Sequence, residues 1–249
     1  MSNYADLEAR NVTLQGPSGA SILDDISFDL PKGSFTCLLG RNGSGKSMLM
    51  KTLKGLQQPS SGSITIHQED LSRFPHKRNT LIGLVFQDAD TQVVGQSVQR
   101  DILFGLENLK VEKEQQKQTL DEVSELLHLT HLLHRRPRTL SGGEKRRLAI
   151  AGVLVMKPQV LMLDEPFANL DYEGITQVLS SLVTLKESGQ TIVVATHEIE
   201  KIYAYADQAI LLDQGSLVIA SDPLDVLERI EQYGLRRPPL SLSEMTWLK

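Results

Sequence analysis

The sequence predicts an α/β fold: a parallel-sheet core, an antiparallel β subdomain ahead of it, a helical insert, and a C-terminal extension. Three observations carry that prediction. Residues 36–39, 160–163 and 192–195 are short, continuously apolar runs that each lead into polar residues, as parallel strands covered on both faces do. Ile26, Phe28 and Leu30 alternate with polar residues and end at Pro31-Lys32-Gly33, the pattern of a half-buried antiparallel strand and its turn. From Asp88 to Met156 the texture becomes charged and amphipathic, as in residues 112–134, with few β-branched clusters, and this reads as helix.

Taken in order, the first element is the small β layer, followed by the 36–39 run. Cys37, the only cysteine, sits in that run at a core strand position, so an internal disulfide or a thiolate-rich metal site is excluded. This fits a reducing, cytosolic compartment. After the helical insert and the two later strands, Gln214-Gly215 reads as a turn between two strands. Residues 224–230 then carry a helical pattern ahead of Arg236-Arg237-Pro238-Pro239, and this tail reads as an appended module. There is no internal repeat.

With 249 residues, 40% of them hydrophobic, the chain can bury a full core as one large domain or as a domain with a smaller one inserted. A net charge of -5, from 26 Lys+Arg against 31 Asp+Glu, gives no overall attraction to nucleic acid or anionic lipid. Met1-Ser2-Asn3-Tyr4-Ala5-Asp6 lacks the basic and apolar blocks of a secretory signal, and the longest nearly apolar run, 148–156, is too short to cross a bilayer.

Gly40-Arg41-Asn42-Gly43-Ser44-Gly45-Lys46-Ser47 fits the phosphate-loop pattern. Glycines let backbone N–H groups converge on phosphate oxygens, Lys46 reaches the terminal phosphates, and Ser47 can ligate magnesium. The context agrees, with an apolar strand before the loop and Met48-Leu49-Met50 opening a helix after it. Asp164 and Glu165 stand together where the 160–163 strand ends, the edge at which open α/β sheets present ligands. Asp164 is expected to hold magnesium through water or Ser47, and Glu165 to polarise an attacking water.

Leu140-Ser141-Gly142-Gly143-Glu144 reads as a second phosphate grip, where one nucleotide already has the first, and this suggests a second copy of the protein. With it the sequence resembles the ATPase subunits of ATP-binding cassette (ABC) proteins over residues 7–221. The resemblance implies a P-loop NTPase of ABC type over residues 1–221, with a helical subdomain at about 88–156, and an extension at 222–249. It implies that Ser141, Gly142 and Gly143 grip the γ-phosphate of a nucleotide held by a second, identical or homologous subunit, from a helix N-terminus that favours anions. Gln87 is similar to the loop glutamine that senses magnesium and the partner, and Asp171, in Ala168-Asn169-Leu170-Asp171, to the loop that crosses between subunits. His197 takes the place of the residue that contacts the γ-phosphate, where a lone histidine would otherwise be read as structural. The implied cofactors are ATP and Mg2+.

A finer likeness lies in Phe86-Gln87-Asp88-Ala89-Asp90-Thr91-Gln92, Phe104-Gly105-Leu106-Glu107-Asn108-Leu109 and Tyr233-Gly234-Leu235-Arg236-Arg237-Pro238-Pro239. These resemble the energy-coupling factor (ECF) ATPases of vitamin and cobalt or nickel importers. The resemblance implies membrane-embedded scaffold and substrate-binding subunits as partners, a peripheral place at the cytoplasmic face of the cell membrane, and a docking groove formed by the helical insert and Gln87. The alternative is a soluble ABC ATPase, such as one that assembles iron–sulfur clusters.

Three departures from the family pattern stand out. Gly16 falls where an aromatic residue usually stacks on adenine, which predicts weak discrimination between ATP and GTP unless Tyr4 folds over the base. Glu144 replaces glutamine at the end of the signature, and Met48 replaces threonine after Ser47. His128, His131 and His134 recur every third residue and read as a polar helix face rather than a metal site. Arg135-Arg136-Pro137-Arg138 and Lys145-Arg146-Arg147 make a local basic cluster without interleaved aromatics, so no nucleic-acid partner is expected.

Overall fold

The structure is a computed structural model describing residues 5–239, 241 and 244–248, with side chains from Asp6 onward. The elements run β1 (Ala5–Gln15), β2 (Ser21–Pro31), β3 (Phe35–Leu39), α1 (Lys46–Lys54), β4 (Ser61–Ile66), β5 (Glu69–Asp70), α2 (Pro75–Leu81) and β6 (Ile82–Val85). There follow α3 (Val98–Asn108), α4 (Lys113–Leu126), α5 (Gly142–Leu154), β7 (Val160–Asp164), α6 (Tyr172–Glu187), β8 (Thr191–Ala195), β9 (Gln208–Asp213), β10 (Ser216–Ser221) and α7 (Pro223–Leu227). Short 3-10 turns link several of them.

The described strands form one sheet in the order β5-β4-β1-β2-β10-β9-β3-β8-β7-β6. The last five are parallel, and β1 pairs antiparallel with β2 and β4. The expected α/β class and antiparallel layer are thus both present. All three apolar runs are central parallel strands, and alternation explains why none of them shows a polar face. Phe35, Cys37, Leu39, Leu161, Leu163, Ile192 and Val194 point into one core cluster. Leu38, Val160, Met162, Val193 and Ala195 point into the other.

Residues 88–156 hold α3, α4 and α5 with their 3-10 turns. The histidine triplet is not one helix face. α4 ends at Leu126, His128 adopts a left-handed turn (φ 53°), and His131 sits in the 3-10 turn Thr130–Leu132. Leu127, Leu129 and Leu132 all turn into the core, and their burial bends the chain off the helix axis.

Gln214 and Gly215, both with positive φ, make the turn joining antiparallel β9 and β10. The helical pattern of the tail resolves into the five-residue α7 and a 3-10 turn at Ile230–Tyr233. Val226, Ile230, Leu235 and Met245 are buried in the larger core cluster, so the tail shares the core of the chain it follows. The Tyr203 hydroxyl donates to the Pro223 carbonyl at 2.6 Å at the start of α7.

Candidate functional site

Four adjacent parallel strands, β3, β8, β7 and β6, deliver the candidate residues at their carboxyl ends. After β3 comes the phosphate loop, after β7 Asp164 and Glu165, after β8 His197, and after β6 Gln87. Asn42, Gly43, Gly45, Lys46, Ser47, Gln87, Asp164, Glu165 and His197 line one open cleft of about 470 Å³.

The loop is built for close backbone approach. At Gly40 (φ 150°) an added Cβ would lie 2.3 Å from Ser44 Oγ and 2.5 Å from the Leu212 carbonyl, so only glycine fits. Gly45, at φ 104°, turns the chain into α1, whose first residue is Lys46. Lys46 is buried, and its ammonium donates to the Gly40 carbonyl at 2.6 Å and the Arg41 carbonyl at 3.1 Å. Burial lowers its pKa, while Glu165 and then Asp164 pull it back up. Ser44 is also buried, and its Oγ has no hydrogen-bond partner within the chain. A phosphate oxygen is a natural acceptor for such a hydroxyl.

Asp164 and Glu165 are divided in environment as well as in position. Burial raises the Asp164 pKa, the hydrogen bond from Ser47 opposes that rise, and Glu165 adds to it. An oxygen donor set of a hydroxyl and a carboxylate beside phosphates suits Mg2+, which keeps most of its waters and takes one or two protein oxygens. Glu165 adopts a left-handed backbone (φ 44°), held by its N–H donating to the Ala195 carbonyl at 2.8 Å. A positive φ in a non-glycine residue is costly, and such residues concentrate at functional sites. That turn lays its carboxylate against β8. Thr196 Oγ1 donates to Oε2 at 3.0 Å, and His197 Nδ1 lies 2.8 Å from Oε1.

The residues expected to form the second grip line a different cleft, of about 480 Å³, which contains Ser141, Gly142, Gly143, Asp171, His128 and His131. Ser141 caps α5 in a full capping box: Glu144 N–H donates to Ser141 Oγ at 3.3 Å, and Ser141 N–H donates to Glu144 Oε2 at 2.6 Å. The departure at position 144 is therefore compatible with a formed helix N-terminus. At Gly143 a Cβ would lie 3.1 Å from Gly174 Cα, because α5 and α6 touch backbone to backbone there. Asp171 caps α6, its Oδ1 accepting from Gly174 N–H at 2.9 Å.

Sequence reasoning missed the link between the two clefts. Arg146, read as part of a basic cluster, is buried. Its guanidinium donates to the Phe86 carbonyl at 2.8 Å and the Gln87 carbonyl at 2.7 Å. Arg147 is buried as well and donates to Gln177. Two of the six basic-cluster cations are thus committed inside the fold, which weakens a nucleic-acid reading further. Gln92 closes the loop after β6, accepting from Phe86 N–H and donating to the Leu84 carbonyl, each at 3.0 Å.

A groove of about 420 Å³ runs between α1–α2 and the helices α3 and α5, with Phe104, Leu109, Val94 and Met156 exposed along it. Gln92 borders this groove, whereas Gln87 faces the phosphate cleft instead. At the cleft's other edge stands Ile22, beside Gly16, where an added Cβ would lie 3.3 Å from Ile22 Cδ1. Tyr4, the other candidate for covering a base, lies outside the described residues.

Comparison with known proteins finds relatives along most of the chain. The family model described as ABC transporter matches residues 23–168. The chain is 36% identical to the energy-coupling factor transporter ATP-binding protein EcfA of Carboxydothermus hydrogenoformans, over 94% of this chain and 88% of that one. It is also 36% identical to EcfA1 of Mycoplasma mobile, over 91% and 83% of the two chains. With EcfA2 of Methanospirillum hungatei the identity is again 36%, but this chain spans only 60% of that protein's length. Among solved structures, cbiO1 of Clostridium perfringens, part of the ABC transporter complex cbiONQ, superposes with a TM-score of 0.85 at 33% identity and covers 93% of each chain.

Proposed function

The chain belongs to the ABC transporter family as an ATP-binding, ATP-hydrolysing subunit, and we propose that it powers an ECF-type importer of a micronutrient, a vitamin or transition-metal ion, by ATP-driven closure of two such subunits. The observation that carries the closure is that Asn42, Gly43, Gly45, Lys46 and Ser47 on one side and Ser141, Gly142 and Gly143 on the other line two clefts with no residue in common. Each chain then offers two half sites. A two-fold pair, with the phosphate loop of one subunit against the signature of the other, completes both at once.

In this reading Asn42, Gly43, Ser44, Gly45 and Lys46 hold the phosphates, while Ser47, Asp164 and Gln87 hold magnesium, which offsets charge developing on the phosphates. Glu165 takes the proton of the attacking water. His197 and Thr196 fix its carboxylate, and His197 faces the γ-phosphate. Ser141, Gly142, Gly143 and Asp171 come from the partner subunit's side of the same nucleotide. Among the described residues no helix is long and apolar enough to cross a membrane. The solute path is assigned to separate membrane subunits, docked at the groove beside Gln92 on the cytoplasmic face. The names of the relatives support transport over the iron–sulfur assembly alternative.

Mixing two inactive variants tests the closure. Lys46→Ala and Ser141→Arg should each abolish turnover, and Ser141→Arg should keep ATP binding at Lys46. Random exchange of the two makes half of all dimers mixed, each with one complete site of two, so about a quarter of wild-type turnover should return. No recovery would refute a sandwich of identical subunits. Purification from solubilised membranes should bring down a polytopic scaffold, and recovery only with soluble assembly factors would overturn the importer reading.

A further inference from the structure

The tail after β10 touches three loops of the nucleotide machinery. Gly234, left-handed at φ 71°, lies directly against Arg41 of the phosphate loop, where an added Cβ would be 2.9 Å from Arg41 Cδ. Further on, Met245 is buried in the larger core cluster and anchors the last described residues. Two residues later the Trp247 ring stacks on Tyr172, with centroids 5.5 Å apart and planes 30° apart. Tyr172 opens α6 and directly follows Asp171.

The same indole faces the loop beyond His197. Lys201 Nζ lies 6.0 Å from the ring centroid and is itself paired with Glu198. The Tyr205 hydroxyl accepts from the N–H of Trp247 at 3.1 Å and from that of Leu248 at 2.9 Å, using both of its lone pairs. Lys186 ties the far end of α6 to this segment, through the Tyr205 carbonyl at 3.1 Å and Asp207 at 2.7 Å. At the near end of α6, beside Asp171, the tie is Trp247.

We infer that Trp247 is a positioning residue: through Tyr172 on one side and Tyr205 and Lys201 on the other, it holds the Asp171 loop and the His197 loop in fixed relation, so that both meet the nucleotide together. The physical basis is that the loops after β7 and β8 are joined at their roots by the bonds of Glu165 to Thr196 and His197, while farther out, at Tyr172 and Lys201, only a rigid spacer fixes their relative position. A stacked aromatic pair is such a spacer, with directional preference and few rotatable bonds. The inference rests on the reading that Asp171 and His197 serve hydrolysis, so one of its readouts is independent of turnover.

Trp247 is the only tryptophan, so its emission reports the tie in the intact chain. Mg·ATP should change Trp247 emission in the wild-type protein and leave it unchanged in Lys46→Ala. In steady-state assays Trp247→Ala should lower kcat about three- to tenfold, the worth of one aromatic pair, with KM for ATP held within about twofold. Trp247→Phe keeps a stacking ring and should recover most of that loss. Tyr172→Ala should cost as much as Trp247→Ala, and the double variant no more than either alone.

Emission that ignores saturating Mg·ATP would overturn the inference whether or not the protein turns over ATP. So would wild-type kcat in Trp247→Ala, or a kcat loss that Trp247→Phe fails to recover. If Trp247→Ala fails to fold, the wild-type emission and the Tyr172→Ala kinetics still decide.

Discussion

Replacing Glu165 with glutamine removes one negative charge and changes almost nothing in shape. The amide oxygen can still accept from Thr196 Oγ1, and the buried pocket, in which Glu165 is 6% exposed, stays filled. The effects on the neighbours oppose each other: Asp164 loses a like charge that raises its pKa, while Lys46 loses the larger of its two counter-charges and keeps Asp164. Stability should therefore shift by no more than ~1 kcal/mol, or about 2–4 °C in melting temperature for a chain of this size. Chemistry should shift far more, because a positioned general base supplies ~10²–10⁴ in rate, equivalent to about 2.7–5.5 kcal/mol of barrier. Phosphate release at saturating Mg·ATP measures the rate, and gel filtration with Mg·ATP measures whether a closed dimer accumulates. Hydrolysis within about tenfold of wild type would refute Glu165 as the base. Loss of ATP binding would show instead that the carboxylate holds the site together.

Two further outcomes follow from the cleft and its surroundings. No aromatic side chain lines the described phosphate cleft, and Ile22 stands beside Gly16. Missing base stacking, worth ~1–3 kcal/mol where it exists, should let GTP compete with ATP to within about fivefold, and adenine selectivity of about a hundredfold would sink this reading. Burial pushes the Lys54 ammonium down from 10.5 to about 8, although it donates to the Ile82 and Asn79 carbonyls at 2.6 and 3.0 Å. The unfolded chain then binds more protons than the folded one between those two values, so Lys54 favours folding as pH rises from about 8 toward 10.5 and loses that contribution as pH falls back through 8. Thermal melts of wild type minus Lys54→Met across this window should show the difference growing in favour of wild type, and a flat difference would contradict the shifted pKa.

The parts legible in the sequence are those whose physics is local. A phosphate loop needs glycines at fixed offsets, so Gly40, Gly43 and Gly45 reveal it, and three apolar runs reveal strands whose side chains serve two cores alternately. The paired carboxylates at 164 and 165 are legible for the same reason. What stays hidden depends on partners distant in sequence. Arg146 reads as surface charge until the fold sets it on carbonyls at 86 and 87, some 60 residues away. The histidines read as a helix face because a three-residue spacing is visible, while the inward pull of Leu127, Leu129 and Leu132 depends on a core that a local window cannot contain. The tail reads as an appendage because its short helix is weak. Its contacts with Arg41 and Tyr172 rest on a glycine and a tryptophan that carry no periodic signal.

Arg146 also sets how information can travel through the molecule. It stands in the second turn of the helix that Ser141 caps, and it grips the loop that carries Gln87 toward the phosphates and Gln92 toward the apolar groove. An occupant of the groove that touches that loop is connected to Ser141 through the same helix. Coupling through one shared body is reciprocal: if an occupant of the groove tightens the grip on nucleotide by some factor, nucleotide tightens the hold on that occupant by the same factor. In the proposed importer the occupant of the groove and ATP would then act as each other's effectors, with the Arg146 guanidinium and the Lys145–Asp90 ion pair at 2.7 Å joining the loop to the helix.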